Sequence, residues 1–308
     1  MAISNQKGGS MSFLMDLGIN LPYSSDLEEL KRIFRMISSI GYKYVYFDGD
    51  FFLHSKKELA IYMQILQDFP LKTYSAHTIY MLPPLNRLSN GTFQYQEELF
   101  EKAQVLKVKG LTYHFGSYEG LNNYGLLHFE EVLRVNGISM EYYVERCIEV
   151  LKEICTKAKI YNLFISVENL PSNCLGSLTD RAEKILEIIK KVNENNLGVC
   201  FDSGYAFSSN LDPYEFIIKV GPYLIETHLN DNLGRISNEI LLNDLHQPVG
   251  IGTINWVKVI SALDEISFRS PIVFELAKGD KEEIARINWI NWRQFITLYE
   301  SKYSTIKT

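Results

Sequence analysis

Residues 163–203 read LFISVENLPSNCLGSLTDRAEKILEIIKKVNENNLGVCFDS. Two short runs rich in Val, Ile, Leu and Phe, Leu163–Asn169 and Gly198–Ser203, flank a longer amphipathic stretch at about 180–194. The short runs are typical of buried strands, and the longer stretch is typical of a helix that faces a core. The segment therefore predicts one strand–helix–strand unit of a parallel sheet.

The same alternation continues in both directions along the chain. The other strand-like runs are Met15–Asn20, Tyr42–Asp48, Lys72–Thr78, Gly110–Gly116, Leu224–Leu229 and Ile272–Ala277. The other helical patterns lie at Leu27–Ile40 and at about 56–68, 95–107, 140–160, 213–220, 254–265 and 281–302. Eight strands and eight helices predict an α/β fold, a single (β/α)8 TIM barrel. An open doubly wound sheet usually has a glycine-rich turn after its first strand, and NLPYS at 20–24 is not one.

We expect residues 1–10 to be an expression leader or a disordered arm, because they are polar and rich in Gly and Ser. Residues 11–308 then form a single catalytic barrel domain. The chain has no run of about 18 apolar residues and no apolar signal segment. These features argue against membrane insertion and secretion and predict a cytoplasmic protein.

Composition narrows the choice of partners. The chain has 308 residues, of which 46% are hydrophobic, and 31 Lys and Arg against 37 Asp and Glu give a formal charge of −6. A negative net charge makes nucleic acid an unlikely partner and favours a small molecule. Four cysteines without a CxxC pair predict neither a disulfide framework nor a cysteine zinc site.

Polar side chains that can bind metals lie near the carboxyl ends of six predicted strands. They are His77, His114, Glu168, Asp202, His228 and Glu275. The carboxyl ends of barrel strands meet at one mouth, so these residues are expected to form one site. Three carboxylates beside apolar runs would be costly to bury without a cation. Carboxylates and imidazole without a thiolate suit a divalent metal such as Mn²⁺, Mg²⁺, Co²⁺ or Zn²⁺.

Five segments carry a family resemblance. They are SVEN at Glu168, GVCFDSGYAF at Asp202, ETHLNDNLG at His228, NDLHQPVGIGTINW after it, and IVFELA at Glu275. Together they resemble the xylose-isomerase-like TIM-barrel superfamily of sugar isomerases, epimerases and endonuclease IV. Ketose 3-epimerases of this superfamily hold one metal with Glu, Asp, His and Glu from the fifth to eighth strands. The resemblance therefore implies the metal ligands Glu168, Asp202, His228 and Glu275.

The endonuclease IV branch has additional ligands. Its two histidines on strands three and four match His77 and His114, and its Asp-x-His motif after strand seven matches Asp244 and His246. A further histidine of that branch is replaced here by Tyr205, whose neutral phenol binds metals poorly near pH 7. We expect the five residues to bind substrate or a second metal, with substrate hydroxyls favoured for the two strand histidines. Tyr205 is expected to hydrogen-bond substrate or His246, without a third metal.

Three loops are expected to shape the mouth. The segments 79–95 and 117–138 are long for connections of this type and should cover part of the site. Their aromatic and apolar residues, which include Tyr80, Met81, Tyr118 and Tyr124, predict either a substrate wall or a contact in a homo-oligomer. Loop 230–253 carries Asp244 and His246, and Trp256 should pack beneath it.

These features predict a metal-dependent isomerase or epimerase that acts on a sugar, a cyclitol or a related hydroxy-carbonyl compound. Glu168 and Glu275 would act as base and acid in proton transfer. A dehydratase or lyase could use the same metal site. The alternative is an endonuclease IV-like zinc phosphodiesterase, which Tyr205 and the negative charge disfavour. A non-catalytic binding barrel is disfavoured by the complete set of four ligands.

Overall fold

Eight parallel strands form the centre of the molecule. The structure, a computed structural model, describes residues 14–21, 23–78, 91–115, 133–134, 137–172, 178–234, 245–277 and 281–303. The strands are β1 Leu17–Leu21, β2 Tyr44–Phe47, β3 Lys72–His77, β4 Gly110–His114, β5 Phe164–Glu168, β6 Leu197–Asp202, β7 Leu224–His228 and β8 Ile272–Phe274. They pair in the order β7-β6-β5-β4-β3-β2-β1-β8.

Contacts between β7 and β8 close the barrel. Leu229 forms a parallel bridge with Phe274, its backbone N–H donates to the Val273 carbonyl at 2.8 Å, and the Glu275 N–H donates to the Leu229 carbonyl at 3.2 Å. The prediction of a single (β/α)8 TIM barrel is confirmed, and all eight predicted strands overlap observed ones.

Helices surround the sheet on its outer side. They are α1 Leu27–Ile40, α2 Lys56–Leu66, α3 Gly91–Val105, α4 Met140–Ile160, α5 Ala182–Val192, α6 Ser203–Ser208, α7 Pro213–Val220, α8 Trp256–Glu265 and α9 Lys281–Tyr303. Two short 3₁₀ turns occur at Gly49–Leu53 and Gly221–Tyr223. Among the described helices, none combines the length and apolar character needed to cross a membrane.

Helix α1 shows how local sequence sets these elements. The Asp26 side chain accepts from the N–H groups of Glu28 and Glu29, which satisfies donors at the start of the helix. Gly41 follows the last residue with φ of 119°, a left-handed conformation that glycine adopts readily. Between these caps, one face buries Leu30, Phe34 and others against the barrel. The observed bounds match the predicted ones.

Two differences from the predicted pattern matter for the site. Helix α6 follows β6 directly and was not predicted, because six residues are too few for a helical period to be recognised. Its position after Asp202 places Tyr205 beside the mouth. The predicted leader at 1–10, the loop residues 79–90 and 116–132, and Asp244 lie outside the described residues.

Candidate active site

Glu168, the last residue of β5, lies at the centre of the polar cluster. Its side chain is fully buried. Its Oε1 is 2.7 Å from Nδ1 of His228, and its Oε2 is 3.0 Å from Nε2 of His114 and 3.3 Å from Nε2 of His77. The carboxylate therefore joins histidines from three strands, β3, β4 and β7.

His228, the last residue of β7, joins this cluster to the eighth strand. Its Nδ1 also lies 3.1 Å from Oε2 of Glu275, which follows β8. One ring nitrogen thus faces two carboxylates that come from different strands. Three of the four residues predicted to bind a metal, Glu168, His228 and Glu275, meet at this point.

Asp202 ends β6 and is held rigidly by its neighbours. Its Oδ1 accepts from the backbone N–H of Tyr205 at 2.6 Å, and its Oδ2 accepts from Nδ2 of Asn230 at 2.7 Å. The side chain of Asn169 bonds both the N–H and the carbonyl of Asp202. Position 204 must be glycine, since a Cβ there would collide with Oδ1 of Asn230.

His246 brings the loop after β7 to the same mouth. Ligand atoms of Asp202, His246 and Glu275 all lie within 4.8 Å of one another. His246 Nδ1 is 3.0 Å from the Glu275 carbonyl, and its ring contacts the ring of Tyr205 edge to face at 5.5 Å. The two rings therefore adjoin, and the hydrogen bond predicted from the Tyr205 hydroxyl to substrate or His246 stays a prediction.

The donor set fits a divalent ion. Among the described residues, three groups place their ligand atoms within 4.8 Å: His77, His114 and Glu168; Glu168, Cys200 and His228; and Asp202, His246 and Glu275. The first two groups share Glu168, and the third shares no residue with them. Glu168 and Asp202 are completely buried, and burial of two carboxylates in one small site is costly without a cation. Carboxylate and imidazole donors at these separations suit Mn²⁺, Mg²⁺, Co²⁺ or Zn²⁺.

The surroundings of the cluster shift the pKa values of its carboxyl groups, and Glu168 and Glu275 shift in the same direction. Burial opposes ionisation of Glu168, but His228 and hydrogen bonds from His114 and His77 hold its pKa well below the usual range. Burial likewise opposes ionisation of Glu275, and His228 lowers its pKa to about 2. Both residues are therefore charged near neutral pH and available to bind a cation or accept a proton.

Asp202 has the opposite tendency. Burial raises its pKa well above the usual range, and the charges of Glu168 and Glu275 add to this rise, while His246 opposes it. A metal ion bound beside Asp202 would favour its ionised form, because a nearby cation stabilises a carboxylate. Among Glu168, Asp202 and Glu275, Asp202 is the one whose surroundings favour the protonated form.

The histidines respond to the same charges. Burial disfavours protonation of His228, but Cys200, Tyr46 and Glu168 raise its pKa well above the usual range. Burial also opposes protonation of His77, and its interaction with Glu168 raises its pKa. In the protein without metal, protons held by His228 and His77 therefore balance part of the negative charge of the carboxylates, as a bound ion would.

Sequence reasoning missed three polar residues that support this site. Asn169 and Asn230 hold Asp202, and Glu226 lies inside the barrel beneath His228, fully buried. Glu226 precedes His228 by two residues, so the period of two along a strand places both on the inner face. That periodicity was the available signal for Glu226.

Asp48 follows β2 at the edge of the mouth. Its Oδ1 accepts from Nδ2 of Asn20 at 3.3 Å. Burial raises its pKa to about 6, and the charge of Glu275 contributes to the rise. The native protein therefore binds a proton at Asp48 more tightly than the unfolded chain does.

We expect Asp48→Asn to remove a pH-dependent loss of stability. The stabilisation from protonated Asp48 is complete below pH 4 and is lost as the pH rises to about 6. From pH 4 to pH 7, the variant should gain about 2–3 kcal/mol relative to the parent, since one pKa unit corresponds to about 1.4 kcal/mol. Urea unfolding in EDTA at both pH values measures this, with exposed Asp68→Asn as control. Parallel pH profiles of the parent and the variant would contradict the expectation.

Comparison with known proteins places this chain in a family. The family model described as "Xylose isomerase-like TIM barrel" matches residues 34–291. The chain belongs to this family. The matched range extends across the six strand-end positions, from His77 to Glu275.

Members with little sequence in common share the fold. Uncharacterized protein MJ1311 of Methanocaldococcus jannaschii is 36% identical over 128 residues, so the match spans 41% of each chain. The structure of an L-ribulose 3-epimerase superposes with a TM-score of 0.73 at 14% identity, covering 95% of this chain and 98% of that one. A family 2 AP endonuclease from Brucella melitensis has a TM-score of 0.66 at 16% identity, covering 87% and 95%. At these identities the two structures establish the barrel fold only.

Proposed function

We propose that this protein is a divalent-metal-dependent isomerase or epimerase that acts on a sugar, a cyclitol or a related hydroxy-carbonyl substrate. The observation that carries the proposal is the position of Nδ1 of His228, 2.7 Å from Glu168 and 3.1 Å from Glu275. With Asp202 beside Glu275, these residues would hold the ion. The L-ribulose 3-epimerase that shares the fold supports a sugar-like substrate.

The two glutamates would move the proton. When bound, a divalent ion supplies the charge that polarises the carbonyl and stabilises the negative charge developing on its oxygen. Glu168 on β5 and Glu275 after β8 approach the mouth from separate strands, and both are ionised near neutral pH. One carboxylate would remove the proton next to the carbonyl and become protonated, and the other, after taking up a proton from solvent, would return that proton to the opposite face.

The product depends on where the proton returns. Return to the same carbon from the opposite face gives an epimer, and return to the neighbouring carbon gives an aldose–ketose isomer. Loss of a β-hydroxyl group instead gives dehydration on the same residues. Proton transfer by Glu168 and Glu275 would be the step common to all three reactions. The position of the substrate relative to the two carboxylates would decide which product forms.

The strand histidines would orient the substrate. His77 and His114 are part-buried, and their Nε2 atoms lie 3.0 Å apart beside Oε2 of Glu168. Imidazole N–H groups at the mouth can donate to hydroxyl oxygens of a polyol.

The cytoplasmic location and a homo-oligomeric assembly stay predictions of the sequence.

We expect turnover in D₂O to place deuterium on the reacting carbon. The protein is purified without chelator, analysed for metals, and incubated with ketopentoses, ketohexoses and inosose. The carboxyl group that returns the proton would have taken it from D₂O, so the product would carry deuterium detectable by NMR. Turnover without deuterium would indicate a hydride shift between carbons and contradict proton transfer.

A phosphodiesterase is the second candidate. The His77, His114 and Glu168 group, together with the Asp202, His246 and Glu275 group, supplies ligands for more than one ion, and a family 2 AP endonuclease shares the fold. Tyr205 beside His246 and the net charge of −6 weigh against it. The screen therefore includes abasic duplex DNA with Zn²⁺, where we expect no incision. Cleavage that Glu168→Gln abolishes would favour this candidate instead.

A further inference from the structure

Glu226 forms a polar centre inside the barrel, directly beneath the proposed metal site. It lies on β7 and is fully buried. Its Oε2 accepts from the hydroxyls of Thr112 and Ser166, each at 2.7 Å, and its Oε1 accepts from the hydroxyl of Ser75. The donors come from three consecutive strands, β3, β4 and β5, so the carboxylate is fixed in position.

The hydroxyl groups that donate to Glu226 carry no positive charge. They are neutral donors, and a buried carboxylate is costly unless a positively charged or strongly polar N–H group faces it. The structure places Nε2 of His228 3.8 Å from Oε1 of Glu226. This Nε2 is itself buried and has no hydrogen-bond partner among the described residues. A buried acceptor and a buried ring nitrogen therefore face each other just beyond hydrogen-bond length.

Two other groups adjoin the ring of His228. The thiol of Cys200 lies within 4.8 Å of ligand atoms of His228 and Glu168, and the ring of Tyr46 contacts the imidazole edge to face at 4.5 Å. A thiol sulfur and an aromatic ring accept N–H bonds weakly, whereas a carboxylate accepts them strongly. Glu226 is therefore the acceptor that best suits the Nε2 proton.

We infer that Glu226 is a positioning residue that accepts the Nε2 proton of His228 and so keeps Nδ1 free to bind the ion. The inference rests on the proposed metal centre, since Nδ1 is the atom that faces Glu168 and Glu275. Histidines that bind metals usually donate their second ring N–H to a carboxylate, a carbonyl or water, which fixes the tautomer and the ring orientation. Here the three hydroxyls in turn fix the orienting carboxylate.

The first test compares Mn²⁺ binding by the parent and Glu226→Gln. Both proteins are treated with EDTA, dialysed and titrated with Mn²⁺ by calorimetry. Gln keeps the side-chain shape but replaces one acceptor oxygen by an NH₂ group. The Kd should therefore rise about 10–100-fold, which is typical when the hydrogen-bond partner of a metal ligand is substituted. Exposed Glu145→Gln removes the same charge and should leave the Kd unchanged. A folded Glu226→Gln with the parent's Kd would overturn the inference.

The second test determines which ring nitrogen of His228 carries the proton in the parent protein, so it does not depend on whether a variant of Glu226 folds. The six histidines are labelled with ¹⁵N, the protein is loaded with diamagnetic Zn²⁺, and ring N–H couplings are recorded. The His228 signal is assigned by its loss in His228→Gln. We expect a proton on Nε2 and none on Nδ1. A proton on Nδ1 would overturn the inference, whatever the variant of Glu226 does.

The two proposals fail in different ways. A parent that binds neither Mn²⁺ nor Zn²⁺ would remove the metal centre and the role of Glu226 together. A parent that binds the ion while a folded Glu226→Gln binds it equally well would remove the role of Glu226 alone. A proton on Nδ1 in the loaded parent would remove the role of Glu226 and also Nδ1 of His228 as a ligand, while the measured binding of the ion would still stand.

Discussion

Glu168→Gln is expected to lower turnover roughly 10³–10⁴-fold, near the upper range for loss of a general base. The same change should remove most of the bound metal. Glu168 contacts His77, His114 and His228, and no other carboxylate of the described cluster reaches all three histidines. An amide at this position loses the negative charge that both the proposed ion and the proton transfer require. Turnover by NMR and metal content by elemental analysis measure the two effects.

The matched control for this variant is Glu145→Gln on the exposed side of α4, which removes the same charge from a residue outside the cluster. Its turnover and metal content should equal those of the parent. Circular dichroism of each metal-free protein shows whether the barrel is folded. A folded Glu168→Gln that keeps the parent's metal content would contradict the ligand assignment, and one that keeps its turnover would contradict the role of base.

The fold was predictable because its signals are local. The α1 bounds follow from Asp26 as the first cap and Gly41 as the last, and both lie beside the helix they limit. Helix α6 escaped prediction because it depends on one hydrogen bond, from the N–H of Tyr205 to the carboxylate of Asp202. A six-residue helix leaves no periodic pattern to detect.

The grouping of the site residues was predictable to a similar degree. The rule that strands of a barrel end at one mouth brought Glu168 and His228 together although sixty residues separate them. The same rule does not reveal what lies below the mouth. Glu226 and Ser75 are 151 residues apart and meet only inside the closed barrel. Their contact depends on strand register, which the sequence pattern does not specify.

The loop after β7 depends on one buried carboxylate, that of Asp231, which is fully buried. Its Oδ2 accepts from the N–H of Gly250 and from Nε1 of Trp256, both at 2.7 Å, and its Oδ1 accepts from the N–H of Ile254 at 3.2 Å. The backbone of Asp231 also exchanges two hydrogen bonds with Gln247. Trp256 is therefore hydrogen-bonded to the described part of the loop through Asp231.

We expect Asp231→Asn to lower the free energy of unfolding by about 3–5 kcal/mol, because hydrogen bonds to a charged acceptor are worth about 1.5–3 kcal/mol each. An amide cannot accept at its nitrogen, so at least one of the donors from Gly250, Ile254 and Trp256 loses its partner while buried. Urea unfolding in EDTA measures the change, and exposed Asp68→Asn is the control. A loss below about 1 kcal/mol, typical of a neutral hydrogen bond, would contradict this role. Gln247 adjoins His246, so the variant should also weaken the hydrogen bond between Nδ1 of His246 and the Glu275 carbonyl. The stability of this loop is in this way linked to the geometry of the mouth.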